Sequence, residues 1–553
     1  MRLRAQFETL EVSELSWFLR ADESLRVRDL IVAFDMDEFA QIDSGMKPRP
    51  RWKLLVWIEG ILVLLWGGLK MVPGIEEKGA GGAVDLLLVL LVFVVALIWL
   101  LLLSGLRWKV RLIGAAVMLA LLGLVKMDGH TGSFFPQFSW RWTKESAKAM
   151  PEVTGTVAKE GTLISTEGAE HFARFLGAEM KNWVSGALLP EGWSNSKPKE
   201  LWRKQIGEGW AAFSVAGGFA YTLEQRGEQE TTICYELRTG DVVWVHGEDV
   251  RFEESMGDDG PRSTPTVVDG KVFSYGATGI LNCLDARTGE MIWGKDVLVE
   301  VGQQVPTWAK SCSPLVVDGK VIVTLGKEAE KNLAAFNISN GELVWRAGDY
   351  SSSYASPVVA TLAGKRQIVA IQQKSVDGYE IESGEILWSF PIGNPQGNCA
   401  SPLIVDDTVI TSSGYGYGTH RIKITPMAEG VGFGAEEMWH SRKLKAKFAN
   451  MVVKDGNVYG LNEGRLVCLN LKDGSLRWRG SNFGHGQLLG VGDHMIVQTE
   501  NGGISIVEIS PEEEKVVGEF DALEHRTWNN PVLAGRILLV RNDREAIAFE
   551  FLR

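Results

Sequence analysis

The stretch Cys283-Leu-Asp-Ala-Arg-Thr-Gly-Glu-Met-Ile-Trp293 decides the fold, because the chain repeats its frame. Cys234–Trp244, Ala335–Trp345, Gly378–Trp388 and Cys468–Trp478 share it, and Gly434–Trp439 is a degenerate copy. Each copy reads as a strand, a turn whose Gly takes positive φ, and a strand whose Trp faces inward. A second unit precedes each of these: Thr264-Pro-Thr-Val-Val-Asp-Gly-Lys-Val-Phe273, Ser313–Ile322 and Ser401–Ile410, with weaker copies from Phe213, Ser356, Ala449, Leu489 and Asn530. It is again strand, Asp-Gly turn, strand. Two hairpins make a four-stranded antiparallel unit.

Residues 199–553 hold eight copies at about 44 residues each, the period of radial four-stranded blades. The last copy stops before its outer Trp strand, and an orphan strand around Trp202 precedes the first. An N-terminal strand is therefore predicted to complete the last blade and close the ring, which removes exposed sheet edges. The fold class is all-β, an eight-bladed β-propeller. Trp202, Trp244, Trp293, Trp345, Trp388, Trp439 and Trp478 read as structural residues that dock on the neighbouring blade.

Composition excludes several classes. Of 553 residues, 62 are Gly and 20 are Trp, and the net charge is −12. That balance argues against nucleic-acid binding, which needs basic patches. The nearest two of the five Cys are Cys283 and Cys312, so there is no disulfide framework, C-x-x-C metal motif or haem attachment. No G-x-S-x-G or P-loop is present, and Gly414–Gly418 opens no helix. The acidic run from Asp35 to Asp43 has Ala40 where a calcium loop needs Gly, so it reads as a solvated face.

The first part of the chain reads differently. Residues 1–50 are polar, without a signal peptide, and are assigned to a cytoplasmic segment. Three apolar runs follow, Leu54–Leu69, Leu86–Leu103 and Leu112–Val125, and residues 51–127 read as a membrane anchor of about three spanning helices. Basic residues before the first run and between the second and third place those flanks inside. This predicts a multi-pass bacterial inner-membrane protein with its propeller in the periplasm. Glu59, within the first run, reads as a paired or end-of-helix residue rather than a relay. Residues 128–198 form a connector that packs on the propeller of 199–553.

The frame Asp285-x-x-Thr-Gly-Glu-x-x-Trp293 resembles the tryptophan-docking motif of the pyrroloquinoline quinone (PQQ)-like propellers, which include quinoprotein dehydrogenases and BamB-like assembly propellers. Phe172–Gly177, Trp193, Trp528–Pro531 and Val540–Glu545 resemble membrane-anchored bacterial members. The resemblance implies the fold, and it brings PQQ with calcium into view as a cofactor. The adjacent cysteines of the dehydrogenases are missing, however, so no cofactor or metal is expected. The lipid-bearing Cys of the assembly factor is missing too.

Each blade's innermost strand should line a channel, with its entry loop at one mouth. The candidates for ligand binding there are Arg262, Lys310, Tyr354, Asn398, Asn450, His485, Arg526, Trp528 and Asn529, beside Ser311, Cys312, Cys399 and Lys447. No catalytic residue is assigned. The preferred function is a membrane-anchored, extracytoplasmic interaction scaffold for envelope proteins. A quinone-dependent dehydrogenase with an atypical site and a ligand sensor are the alternatives.

Overall fold

The computed structural model describes residues 52–70, 81–133, 136–142, 171–184, 189, 197–254, 257–327, 330–394, 397–427 and 432–551. The acidic run at 35–43 and Trp193 lie outside them. By internal contacts the chain falls into two compact units, residues 1–61 with 92–121 and residues 62–91 with 122–553.

The inner-membrane reading is corrected by the helices themselves: among the described residues none is long and apolar enough to cross a membrane. They are Trp52–Lys70, Gly81–Ile98 and Trp108–Gly123, of 19, 18 and 16 residues. At 1.5 Å per residue even the longest rises about 28 Å, short of the ~30 Å hydrocarbon core. The first carries Lys53, Glu59 and Lys70. The second apolar run loses its α-helical geometry after Ile98, where Trp99–Leu103 widen into a π-helix, and Gly105 turns at φ +72°. The third helix ends at Gly123, and Val125, the last residue of that run, opens strand β1, Val125–His130, paired antiparallel with β2, Pro136–Trp140.

In the second unit the described residues form eight sheets of four or five strands. A representative sheet runs Thr266–Val268, Lys271–Tyr275, Ile280–Asp285, Met291–Asp296, each strand antiparallel to the next. The quoted stretch supplies its two outer strands, with Cys283 opposite Trp293 and a bulge beside them. Two short strands complete sheets out of sequence order. Strand β3, Trp183–Val184, adds in parallel to Gln487–Val491. Strand β4, Lys199–Gln205, pairs antiparallel with Glu545–Glu550 and joins the two ends of the repeat.

Two seams hold sheet to sheet. At the outer seam the Trp of one sheet lies under the Gly turn of the next. The indole N–H of Trp244 donates to Ala286 O at 3.1 Å, and a Cβ built at Gly289 would lie 2.6 Å from the Trp244 ring. Trp202 with Gly240, Trp293 with Gly341, Trp345 with Gly384 and Trp439 with Gly474 repeat this contact. Their indole N–H groups donate to Leu237, Ile338, Ile381 and Leu471 carbonyls. Trp388 departs from the pattern: its N–H turns back to Gln367 Oε1 in its own sheet at 2.6 Å.

At the inner seam the hydroxyl ahead of each Pro does the joining. Thr264 Oγ1 accepts from Ala212 N, Ser313 Oγ from Thr264 N, Ser356 Oγ from Ser313 N, and Ser401 Oγ from Ser356 N. Asn450 Oδ1 accepts from Ser401 N at 2.9 Å and carries the series on. Where the last sheet meets the first, the buried Arg541 donates to Thr222 Oγ1 and to the carbonyls of Leu223, Gly207 and Gly209. Glu224 beside it accepts from Arg226, Tyr235 and Gly207 N.

Two substitutions separate turn strain from docking. Gly270 and Gly289 have φ +72° and +74°, but only Gly289 faces a Trp. Gly270→Ala should cost about 1 kcal/mol for its left-handed backbone, and Gly289→Ala about 3 kcal/mol once overpacking adds to it. Equal losses in denaturant unfolding would mean that the Trp contact contributes nothing. Arg541→Met should cost about 3 kcal/mol in the same unfolding measurement, because it leaves Thr222 Oγ1 and the Leu223, Gly207 and Gly209 carbonyls buried without their donor, while Glu224 keeps Arg226.

Candidate functional site

The entry loops of the innermost strands converge on one cavity of about 190 Å³. Its walls are aromatic: Trp210, Trp308, Tyr354, Tyr415, Phe448 and Trp528, with Phe175. Trp210 and Trp528 meet at 4.9 Å between ring centres, Phe448 and Trp528 at 5.1 Å, and Trp308 and Tyr354 at 5.6 Å. Cations lie on these faces. The Arg526 guanidinium sits 4.4 Å from the Trp528 ring centre and 5.3 Å from that of Trp210. Lys447 Nζ sits 4.5 Å from the Tyr415 ring centre and 5.2 Å from that of Phe448. Such contacts strengthen when desolvated.

Two segments from ahead of the repeat also bound the cavity. Residues 171–184 lie against innermost strands: Phe172 bridges to Val215, Val267 N donates to Ala173 O, and Asn182 bonds Leu488 O and Gly490 N. Phe175 of this segment reaches the cavity, as do Thr131 and Gly132 between β1 and β2.

Of the nine candidate residues, Arg262, Tyr354, Asn450 and Trp528 line this cavity. His485 and Arg526 stand next to it, on residues 130–133. The other three point elsewhere. Lys310 is buried with its ammonium on Thr324 Oγ1 and Leu325 O. Asn398 donates to Gln372 O, and Asn529 to Ala211 O. All three hold backbone, Lys310 within its own sheet and the two Asn across to a neighbouring one. Even Arg262 spends its guanidinium on the carbonyls of Gly257, Asp258 and Gly260. The aromatic walls Trp210, Trp308 and Phe448 were not singled out in the sequence. Their signal was there: Trp210 and Trp308 are tryptophans off the repeat's frame.

Burial sets the ionisation of the site. It lowers Lys447 to about 8, Arg262 and Arg526 to about 10, and His485 to about 4, and it raises the Cys399 thiol to about 12. At neutral pH the arginines are charged, His485 is neutral and Cys399 is no nucleophile.

Among the described residues no group of three His, Cys, Asp or Glu side chains is placed to hold a metal ion. Glu500 beside the cavity already accepts from Gly132 N, His485 N and Trp528 Nε1. A calcium ion needs six to eight oxygen ligands, so the residues present do not fit a calcium–quinone pair.

A family profile described as "Outer membrane protein assembly factor BamB" matches residues 229–480 and 434–549, more than half of the chain. The chain belongs to this PQQ-like propeller family. No curated protein matches it. Among solved structures, this PQQ-like propeller is similar to BamB from Moraxella catarrhalis, with 15% identity, TM-score 0.47, and 64% of this chain and 100% of that one covered. It is similar to a europium-containing methanol dehydrogenase, with 13% identity, TM-score 0.42 and coverage of 68% and 90%. It is similar also to quinohemoprotein alcohol dehydrogenase from Comamonas testosteroni, with 13% identity, TM-score 0.42 and coverage of 69% and 80%.

Because burial lowers His485 from 6.5 to about 4, the unfolded chain takes up its proton first on acidification. The folded state should therefore lose about 3 kcal/mol as pH falls from about 6.5 to 4. His485→Asn should flatten the decline of thermal midpoint over that window. An unchanged slope would place the acid sensitivity elsewhere.

Proposed function

We propose that this PQQ-like propeller is a protein-interaction scaffold serving envelope and outer-membrane protein assembly. One observation carries the reading. The mouth offers Trp and Tyr, residue types that anchor protein interfaces, while its Glu500, Arg262 and Arg526 are already committed to groups of this chain. In this reading residues 199–553 are one ring of eight blades, and 128–198 are the connector packed on it. The candidate residues that act are those around the cavity: Arg262, Tyr354, Asn450, His485, Arg526 and Trp528. A second reading, a quinone-type planar ligand held without metal, is favoured by the aromatic walls of the cavity.

A photo-crosslinking residue at Trp308 or Tyr354 should give one discrete adduct in cells, with an envelope-assembly protein as the partner. No adduct from either position would sink the scaffold reading. Titration of the full chain with PQQ, with and without calcium, separates the second reading. Saturable, calcium-independent binding supports it, and absence of binding removes it.

A further inference from the structure

The loop between β1 and β2 enters the propeller mouth by its tip, and four buried side chains address it group by group. Glu500 Oε1 accepts from Gly132 N at 2.6 Å. Lys447 Nζ donates to Gly132 O, and an Arg526 guanidinium N–H donates to His130 O. His485 Nε2 lies 3.0 Å from Ser133 Oγ. The four come from different loops: Lys447, His485 and Arg526 precede three successive innermost strands, and Glu500 sits between His494–Gln498 and Gly503–Glu508. All four are nearly inaccessible.

This is main-chain recognition. Gly132 has an acceptor on its N–H and a donor on its carbonyl, and the carbonyl two residues earlier has a second donor. Beside the Ser133 hydroxyl on His485, the one demand on a side chain is that Gly132 have none. A Cβ built at Gly132 would lie 2.4 Å from the His485 ring. The strands behind the tip are not embedded in the same way, since Met127, Phe138 and Trp140 are exposed. The tip is gripped by hydrogen bonds while the stems stand clear, which is the arrangement a separate hairpin could copy.

We propose that Lys447, His485, Glu500 and Arg526 form a recognition site for a glycine-bearing hairpin turn of a partner protein, a site that the chain's own turn His130–Ser133 occupies in cis. The inference rests on the scaffold reading and gives it a partner class: a protein presenting a tight turn with Gly at its apex. The tethered turn competes at an effective concentration in the millimolar range. A partner therefore binds by displacing it, and the tether suppresses weak or incorrect turns.

The test uses the full chain and a synthetic peptide of residues 125–140. Gly132→Val in the chain forces its own tip off His485. The native peptide should then bind that variant at least ~10-fold more tightly than it binds the wild-type chain, as competition from a tethered ligand predicts. A Gly132→Val copy of the peptide should fail to bind, and Glu500→Gln added to the G132V chain should weaken the native peptide about tenfold. Equal binding to both chains, binding of the valine peptide, or no binding to the variant overturns the proposal. A concentration-dependent dimer of the wild-type chain in light scattering overturns it as well, in favour of a second copy as occupant. Should G132V not fold, hydrogen exchange decides. The Gly132 amide should be protected in the wild type and exchange at least ~10-fold faster in Glu500→Gln, and an unprotected amide in the wild type overturns the proposal. Envelope adducts formed from other faces, without peptide binding, would overturn this inference and leave the scaffold reading standing.

Discussion

The fold depends on one contact made repeatedly: a Trp ring from one sheet slid beneath a Gly turn of the next. Three demands meet at that Gly. The turn needs a left-handed residue, the ring leaves no space for a Cβ, and the Trp N–H needs the carbonyl that the turn presents. No other residue satisfies the first two. The Trp buries a large apolar face and still has its polar handle satisfied. A four-stranded antiparallel sheet on its own would leave both faces wet, and at five of the eight seams this contact supplies the neighbour.

Nearer the axis the joints are polar. A hydroxyl or amide from one sheet accepts the N–H of the sheet before it, from Ala212 round to Ser401. The innermost strands are short, and the N–H groups just ahead of them would otherwise lack an acceptor. Residues 171–184 then cover part of the same region, with Ala173 O and Asn182 O taking N–H groups from Val267 and Gly490. Residues 171–184 are thus part of the wall around the cavity.

The Thr-Gly…Trp frame and the Ser-Pro…Asp-Gly unit were legible because each is local: its spacing encodes a hairpin without reference to the rest of the chain. The pairing of β4 with Glu545–Glu550 was legible from the split terminal copy. The site was only half legible. Entry loops could be located, but whether Lys310 or Trp308 faces the cavity is set by side-chain direction within an irregular loop, which carries no period. Polarity also misled. Lys310, Asn398 and Asn529 are polar because they bind backbone carbonyls. The apolar runs near the N-terminus show the converse, since hydropathy alone does not reveal where a helix widens at Trp99 or stops at Gly123.

Three of the eight joints lack the Trp-on-Gly contact, and at one of them the indole N–H also turns away from the next sheet. Trp388 packs among Val409, Ile422 and Ile424 of the following sheet, yet its N–H is bound within its own sheet. That following sheet replaces the short Gly turn with a long hairpin, Gly418–Pro426 against Phe433–Ser441. A belt of like fasteners has no preferred place to come undone. Here the joint between the sheets of Trp388 and Trp439 is such a place, a buckle that can part while the Trp345 and Trp439 joints on either side remain latched.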